Sequence, residues 1–296
     1  MTRREFAVAA AALPLPAAPA QFRKGICSII FPKGLPLEEQ FRQTRNAGFE
    51  GIELPLSEGL PLETNREQAQ RIAEAARKAG VEIISLWASA PLGPNPLNSP
   101  DPALRARGVE ALRQAIRLAS WLECGALLIV PGRLGSGPKF QIGYQDTWDR
   151  VSAEMKKVVP EAEKARVVLA PENVWNKFLV SPLEMRAFVD QFRSPWVGAY
   201  FDIGNILQYG YPQDWILTLG GRIKRVHAKD YKLSTRAEQG RFVDLLEGDV
   251  DWKDVMAALV KVGYRGFISP EYGHRPEDPE QLRKISAALD KILSLA

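Results

Sequence analysis

Four short segments carry side chains able to hold a divalent cation: Pro171-Glu172-Asn173, Phe201-Asp202-Ile203-Gly204-Asn205, His227-Ala228-Lys229-Asp230 and Pro270-Glu271-Tyr272. Each acid or imidazole ends a run of strand-forming residues, so in a parallel barrel all four fall at the same mouth. Three carboxylates and an imidazole gathered there would repel one another, and a divalent ion is the usual remedy. Oxygen-rich ligation with one imidazole suits Mn²⁺, Mg²⁺, Co²⁺ or Zn²⁺. Taken singly, a carboxylate at a strand end reads as a helix cap or an ion-pair partner. The set changes that reading, because the chain has only two histidines and one stands at a strand end among three similarly placed acids. An ion bound by Glu172, Asp202, His227 and Glu271 would still accept two neighbouring oxygens of a hydroxy-ketone, polarise the carbonyl and acidify the adjacent C–H.

Apolar runs of strand length at residues 25–30, 51–56, 82–88, 126–130, 167–171, 198–202, 223–227 and 266–270 must position these groups. They alternate with segments of helical period, and Gly or Pro falls between them. Eight strand-then-helix units predict an α/β chain folded as a single (β/α)₈ TIM barrel over residues 21–296. The stretches Arg66–Lys78 and 104–121 each present one apolar face, as helices packed on a sheet do. Gly48, Gly80, Gly125 and Gly263 are expected to close helices in the left-handed conformation. The rival architecture, an open doubly wound sheet, usually carries a glycine-rich phosphate loop after its first strand. Here the chain after Ile30 runs Phe31-Pro32-Lys33-Gly34-Leu35, and Gly132-Arg133-Leu134-Gly135-Ser136-Gly137 lacks the Lys-Ser/Thr ending of a P-loop.

The four ligand segments resemble the metal quartet of the xylose-isomerase-like TIM barrels. That group includes sugar-phosphate isomerases and epimerases, ketose 3-epimerases, hydroxypyruvate isomerase and inosose dehydratase. The resemblance covers roughly residues 24–293, and Glu247-Gly248-Asp249-Val250-Asp251-Trp252 is similar to the group's Gly-Asp-hydrophobic segment before the last helical unit. It implies an isomerase in which Glu172 and Glu271 are both ligands and the catalytic acid–base pair. One would abstract a proton and the other return one to the opposite face or the neighbouring carbon, through a metal-held enediolate. Candidates to line a sugar pocket are Glu53 and Trp87 at earlier strand ends, Trp175, Asn176 and Lys177 after Glu172, and His274 beyond Glu271. Asn205 and Lys229, two or three residues past ligands, are placed to touch substrate oxygens or steady a ligand carboxylate. The ketose 3-epimerase branch has a His three residues after the metal Asp, an Arg six after the metal His and a Glu six after the first metal Glu. This chain has Asn205, Leu233 and Phe178 there.

The resemblance implies a small carbohydrate as the partner, with self-association into a homo-oligomer compatible with it. Lys+Arg 39 against Asp+Glu 35 gives +4 with no run of five or six like charges, so nucleic acid is not an expected partner. The apurinic-site endonucleases, which resemble this chain in fold, build a three-metal site from several histidines, and two are too few. Cys27 and Cys124 form no C-x-x-C pair and are expected to be packing residues. Rival activities on the same site are a dehydratase or lyase acting on a keto-sugar or inosose, and a periplasmic sugar-binding protein without turnover. Residues 1–20 have the layout of a twin-arginine signal peptide: Arg3-Arg4, then Phe6, an Ala-rich stretch, and Ala18-Pro19-Ala20. The stretch is too short and too proline-broken to span a bilayer, so no stable membrane insertion is expected after its removal. Export to the periplasm or another extracytoplasmic space favours a free sugar, keto-sugar or polyol over a phosphosugar. Replacing Arg3 and Arg4 by lysine should retain the protein in the cytoplasm on cell fractionation, and unchanged export would contradict the twin-arginine assignment.

Overall fold

The computed structural model describes residues 22–94, 96–136, 139–235 and 239–296, so the expected leader at 1–20 lies outside the described residues. Eight parallel strands form one sheet: β1 (Arg23–Cys27), β2 (Gly51–Pro55), β3 (Glu82–Trp87), β4 (Ala126–Ile129), β5 (Val168–Pro171), β6 (Ala199–Asp202), β7 (Ile223–Ala228) and β8 (Phe267–Pro270). Their order is β5-β4-β3-β2-β1-β8-β7-β6. Parallel bridges Leu169↔Val197 and Glu172↔Tyr200 bring the two outer strands together and close the barrel. A helix follows each strand: α1 (Leu37–Asn46), α2 (Arg66–Lys78), α3 (Pro102–Trp121), α4 (Tyr144–Lys156), α5 (Pro182–Asp190), α6 (Pro212–Leu219), α7 (Trp252–Lys261) and α8 (Gln281–Leu293). The fold is the expected (β/α)₈ barrel. No helix among the described residues is long and apolar enough to cross a membrane.

Local sequence accounts for the helix boundaries. Asn65 and Gln68 form a reciprocal capping box at the start of α2, and Ser181 and Glu184 do the same for α5. Asp101 caps α3, whose first residue is Pro102, a position where the missing N–H costs nothing. The face carrying Val109, Leu112, Ile116 and Ala119 is then buried against the sheet. Gly48, Gly80 and Gly263 take positive φ after their helices, as expected. After α3 that conformation falls on Glu123 (φ 58°) and not on Gly125, because α3 ends at Trp121 with its cap at Leu122, and Gly125 already leads into β4. The first strand also differs, starting at Arg23 and giving way at Ser28 to a 3₁₀ turn over Ser28–Ile30.

Two apolar layers result. The larger fills the space between sheet and helices, and the smaller, Leu128, Ala170 and Tyr200 with Trp87, Val130 and Val168 against them, forms a separate cluster. Register decides what stands beside what: Cys27 pairs with Glu53 on β1 and β2, while His227 pairs with Asp202 on β6 and Ser269 on β8.

Candidate active site

His227 is the hub of the mouth. Fully buried on β7, it faces Glu172 Oε1 at 3.0 Å, Glu271 Oε2 at 3.1 Å and Asp202 Oδ2 at 3.8 Å, all from Nδ1. One ligand atom from each of the four residues lies within 4.8 Å of the others. Asp202 Oδ2 and Glu271 Oε2 are buried without an aligned hydrogen bond, and Lys229 Nζ stands 2.9 and 2.5 Å from them as a counter-charge. Orphaned carboxylate oxygens converging with an imidazole nitrogen fit a hard divalent cation. The structure therefore brings together the four residues expected as metal ligands, with Lys229 beside them.

The surrounding chain fixes these side chains. Asn173, next to Glu172, accepts from the Asp202 backbone N–H and donates to the Asp202 carbonyl, both at 2.8 Å. Asp202 Oδ1 accepts the Asn205 N–H, and Asn205 Nδ2 donates to the Asn173 carbonyl, so this oxygen is occupied while Oδ2 faces the cluster. Gly204 lies so close to Lys229 that a Cβ would meet its carbonyl oxygen at 2.8 Å and its Cβ at 2.6 Å. Asp230 accepts from Tyr231, Leu246 and Val250 backbone N–H groups and the Trp252 indole, which ties the loop after β7 to its strand. The Asp249-Val250-Asp251-Trp252 segment noted in the sequence owes its place to that carboxylate.

Electrostatics divides the carboxylates. Burial pushes Glu172 up to about 7, with the Glu271 charge adding and His227 opposing. Asp202 is also raised by burial, against the pull of Lys229. Burial opposes ionisation of Glu271 too, but His227 and Lys229 outweigh it and hold that carboxyl at about 2. Glu53 is likewise held at about 2, burial being overcome by His227 with help from Ser269 and Tyr200. Burial disfavours charge on His227, yet the acids around it raise it well above an ordinary imidazole. With Lys229 charged and His227 neutral so that Nδ1 can ligate, four ionised carboxylates leave three negative charges, which a divalent ion reduces to one.

Other expected pocket residues have different places. Glu53 is not at the surface of the pocket: it is fully buried behind His227, with Oε2 at 2.8 Å from Nε2, because its strand points it into the barrel. Cys27 is more than packing, since its Sγ lies 3.2 Å from that oxygen and 3.5 Å from the ring. Trp87 donates to Glu53 and tilts against His227. Asn176 is turned away, donating to the Gly132 carbonyl and accepting from the Phe178 N–H, so it shapes a turn. Asn205 spends its amide on Asn173, a bracing role. Lys177 has a left-handed backbone (φ 64°) in the same turn. Trp175 is half exposed and stacks on Phe242 of the Asp230–Lys232/Arg241–Val243 hairpin, its indole N–H donating to the Asn205 carbonyl. This aromatic wall borders Lys229, whose Nζ lies 5.6 Å from the Phe242 ring. His274 donates its backbone N–H to Ile29 and holds the Ile30 carbonyl through Nδ1. It lines a groove of about 970 Å³ over the loops after β1 and β2, and no residue of the cluster lines that groove.

Asn173 and Asp230 were legible as neighbours of ligands in their motifs, but Phe242, Tyr200 and the role of Cys27 carry no sequence signal. The three departures from the epimerase pattern also find their places. Phe178 is buried against Tyr144 and Phe188, Asn205 braces Asp202, and Leu233 is exposed beside Tyr209 and Tyr211.

A closed parallel barrel with acids and one imidazole meeting at its carboxyl end defines a (β/α)₈-barrel enzyme scaffold. Within that class, the chain belongs to the xylose isomerase-like TIM barrel family, whose model matches residues 41–292. It is 28% identical over 265 residues to the L-ribulose-5-phosphate 3-epimerase UlaE of Salmonella paratyphi C (strain RKS4594), covering 88% of this chain and 90% of that protein. Among solved structures, D-psicose 3-epimerase from Clostridium cellulolyticum H10 aligns with a TM-score of 0.78 at 19% identity, covering 93% and 99% of the two chains. An L-ribulose 3-epimerase aligns with a TM-score of 0.73 at 23% identity, covering 93% and 95%.

Metal-free protein should reveal the strained cluster through its stability. Glu172 has a folded value near 7 against an ordinary 4.5, so the stability it contributes is complete below 4.5 and is lost as pH rises through about 7. Asp202 acts in the same direction. Glu53 and Glu271, lowered to about 2, lose theirs only as pH falls from 4.5 toward 2. Thermal melts of the metal-free protein should therefore drop as pH rises from 4.5 through about 7, and Glu172→Gln should flatten that slope. Equal slopes in the two proteins would contradict the raised Glu172.

Proposed function

We propose that the protein is a divalent-metal-dependent ketose epimerase or isomerase in which Glu172 and Glu271 move the proton on the carbon beside the sugar carbonyl. The chain is an enzyme of the sugar isomerase and epimerase class. The observation that carries the finer reading is the approach of two carboxylates, from β5 and from β8 three strands away round the barrel, to one imidazole nitrogen at 3.0 and 3.1 Å.

Glu172, Asp202, His227 and Glu271 would hold the ion, which supplies Lewis-acid polarisation of the carbonyl and so acidifies the neighbouring C–H. Asp202 and His227, both fully buried, have no route to substrate and serve as anchors. Glu172 and Glu271 are the proton carriers: one takes the proton and the other returns it. Return to the opposite face of the same carbon is epimerisation, and return to the adjacent carbon is isomerisation. Lys229 keeps Asp202 and Glu271 charged and presents an ammonium beside the place where negative charge grows on the sugar oxygens. Trp175 and Phe242 offer the apolar C–H face of a sugar a stacking surface.

The relatives named above support 3-epimerisation of a ketose. The reading favours an unphosphorylated sugar as the substrate. Export through the Arg3-Arg4 segment belongs to the same reading. The phosphate in the name of the UlaE relatives favours a second reading, a ketopentose 5-phosphate.

Incubation of the metal-loaded enzyme in D₂O with free ketopentoses, free ketohexoses and ketopentose 5-phosphates, followed by NMR, separates these. Deuterium should enter a carbon next to the carbonyl, at C3 for epimerisation, and only in free sugars. Label confined to the phosphates would select the second reading, and loss of a hydroxyl β to the labelled carbon would make the enzyme a dehydratase. Glu172→Gln and Glu271→Gln should each lower turnover by about 10²–10⁴-fold. Near-normal turnover in either would remove it from the acid–base pair.

A further inference from the structure

We propose that Glu53 is a positioning residue that holds the His227 ring in the one tautomer able to ligate a cation, and thereby sets the affinity of the four-residue cluster for its ion. This rests on the metal-dependent reading above.

Glu53 is fully buried on β2, and three side-chain donors from three other strands converge on its Oε2. His227 Nε2 of β7 lies at 2.8 Å, Trp87 Nε1 of β3 at 3.1 Å and Cys27 Sγ of β1 at 3.2 Å. An indole nitrogen can only donate, and an ionised carboxylate can only accept. Trp87 therefore uses Oε2 as an acceptor, and with Glu53 ionised the ring nitrogen facing the same oxygen carries a proton. A neutral imidazole protonated on Nε2 keeps its lone pair on Nδ1. Nδ1 is the nitrogen that faces Glu172, Asp202 and Glu271.

The alternative tautomer would be favoured locally if Glu53 were absent. Nδ1 is surrounded by carboxylate oxygens that would gladly accept its proton, and a protonated Nδ1 cannot bind a cation. Glu53 supplies the competing acceptor on the far side of the ring and removes that state. The packing of Trp87 and Tyr200 against the imidazole, at centroid distances of 5.6 and 4.6 Å, leaves little freedom to turn the ring over instead.

The test reads the proton directly. The chain has two histidines, so ¹⁵N-histidine labelling gives two ring systems, and His274→Ala assigns them. In the Zn²⁺-loaded wild-type protein, His227 should show a protonated Nε2 and an unprotonated Nδ1; protonation of Nδ1 would overturn the proposal with no variant needed. By calorimetry, Glu53→Ala should weaken Zn²⁺ binding by about 10–100-fold, the loss typical of removing a group behind a ligand histidine. Glu53→Gln, which keeps an acceptor, should recover part of it. Unchanged affinity in a folded Glu53→Ala protein would also overturn the proposal. A wild-type protein that binds no divalent ion would instead remove the metal reading on which it stands.

Discussion

One buried imidazole surrounded by acids governs the architecture of this mouth. His227 has Glu53 against one nitrogen and Glu172, Asp202 and Glu271 against the other. At an effective dielectric of about 20, two like charges about 4 Å apart repel by about 4 kcal/mol. Three such pairs rival the ~5–15 kcal/mol by which a whole domain is stable. Neither Lys229 nor a protonated His227 cancels this alone, so the cluster is tolerable only if a further cation is bound or some carboxyl stays protonated. Glu172, raised by burial, is the group that yields when no ion is there.

The rest of the fold reads as the apparatus that enforces this crowding. Strand register sets Asp202 and Ser269 on either side of His227, and Cys27 beside Glu53. Asn173 and Asn205 lock the backbone of Asp202 and leave only Oδ2 unspent. Gly204 lets that turn lie against Lys229 without a side chain in the way. Outside the barrel, capped helices bury their apolar faces on the sheet and supply the stability that the mouth consumes.

Much of this was legible in the sequence because strand and helix periods differ and because barrel chemistry gathers at strand ends. The four cluster residues stand at strand ends in runs long enough to be recognised, and Arg66–Lys78 declared itself by its apolar stripe and its capping pair. Direction was harder. A residue near a strand end can face the mouth or the barrel interior, and this one-residue distinction sent Glu53 behind His227, while Asn176, five residues past β5, is held in a turn by the Gly132 carbonyl and the Phe178 N–H. The short hairpin after β7 has strands of three residues, below the length at which alternation can be seen, so Phe242 and its stacking on Trp175 were invisible. Glu123 took the left-handed position after α3 because a helix end is set by packing as well as by where a glycine lies.

The central claim is that the cluster is a single divalent-cation site, and anomalous diffraction from crystals soaked in Mn²⁺ tests it most directly. The account predicts one strong peak among Glu172, Asp202, Glu271 and the Nδ1 of His227, abolished in crystals of Asp202→Asn. A peak elsewhere, or none at a Mn²⁺ concentration that saturates binding in solution, would contradict it.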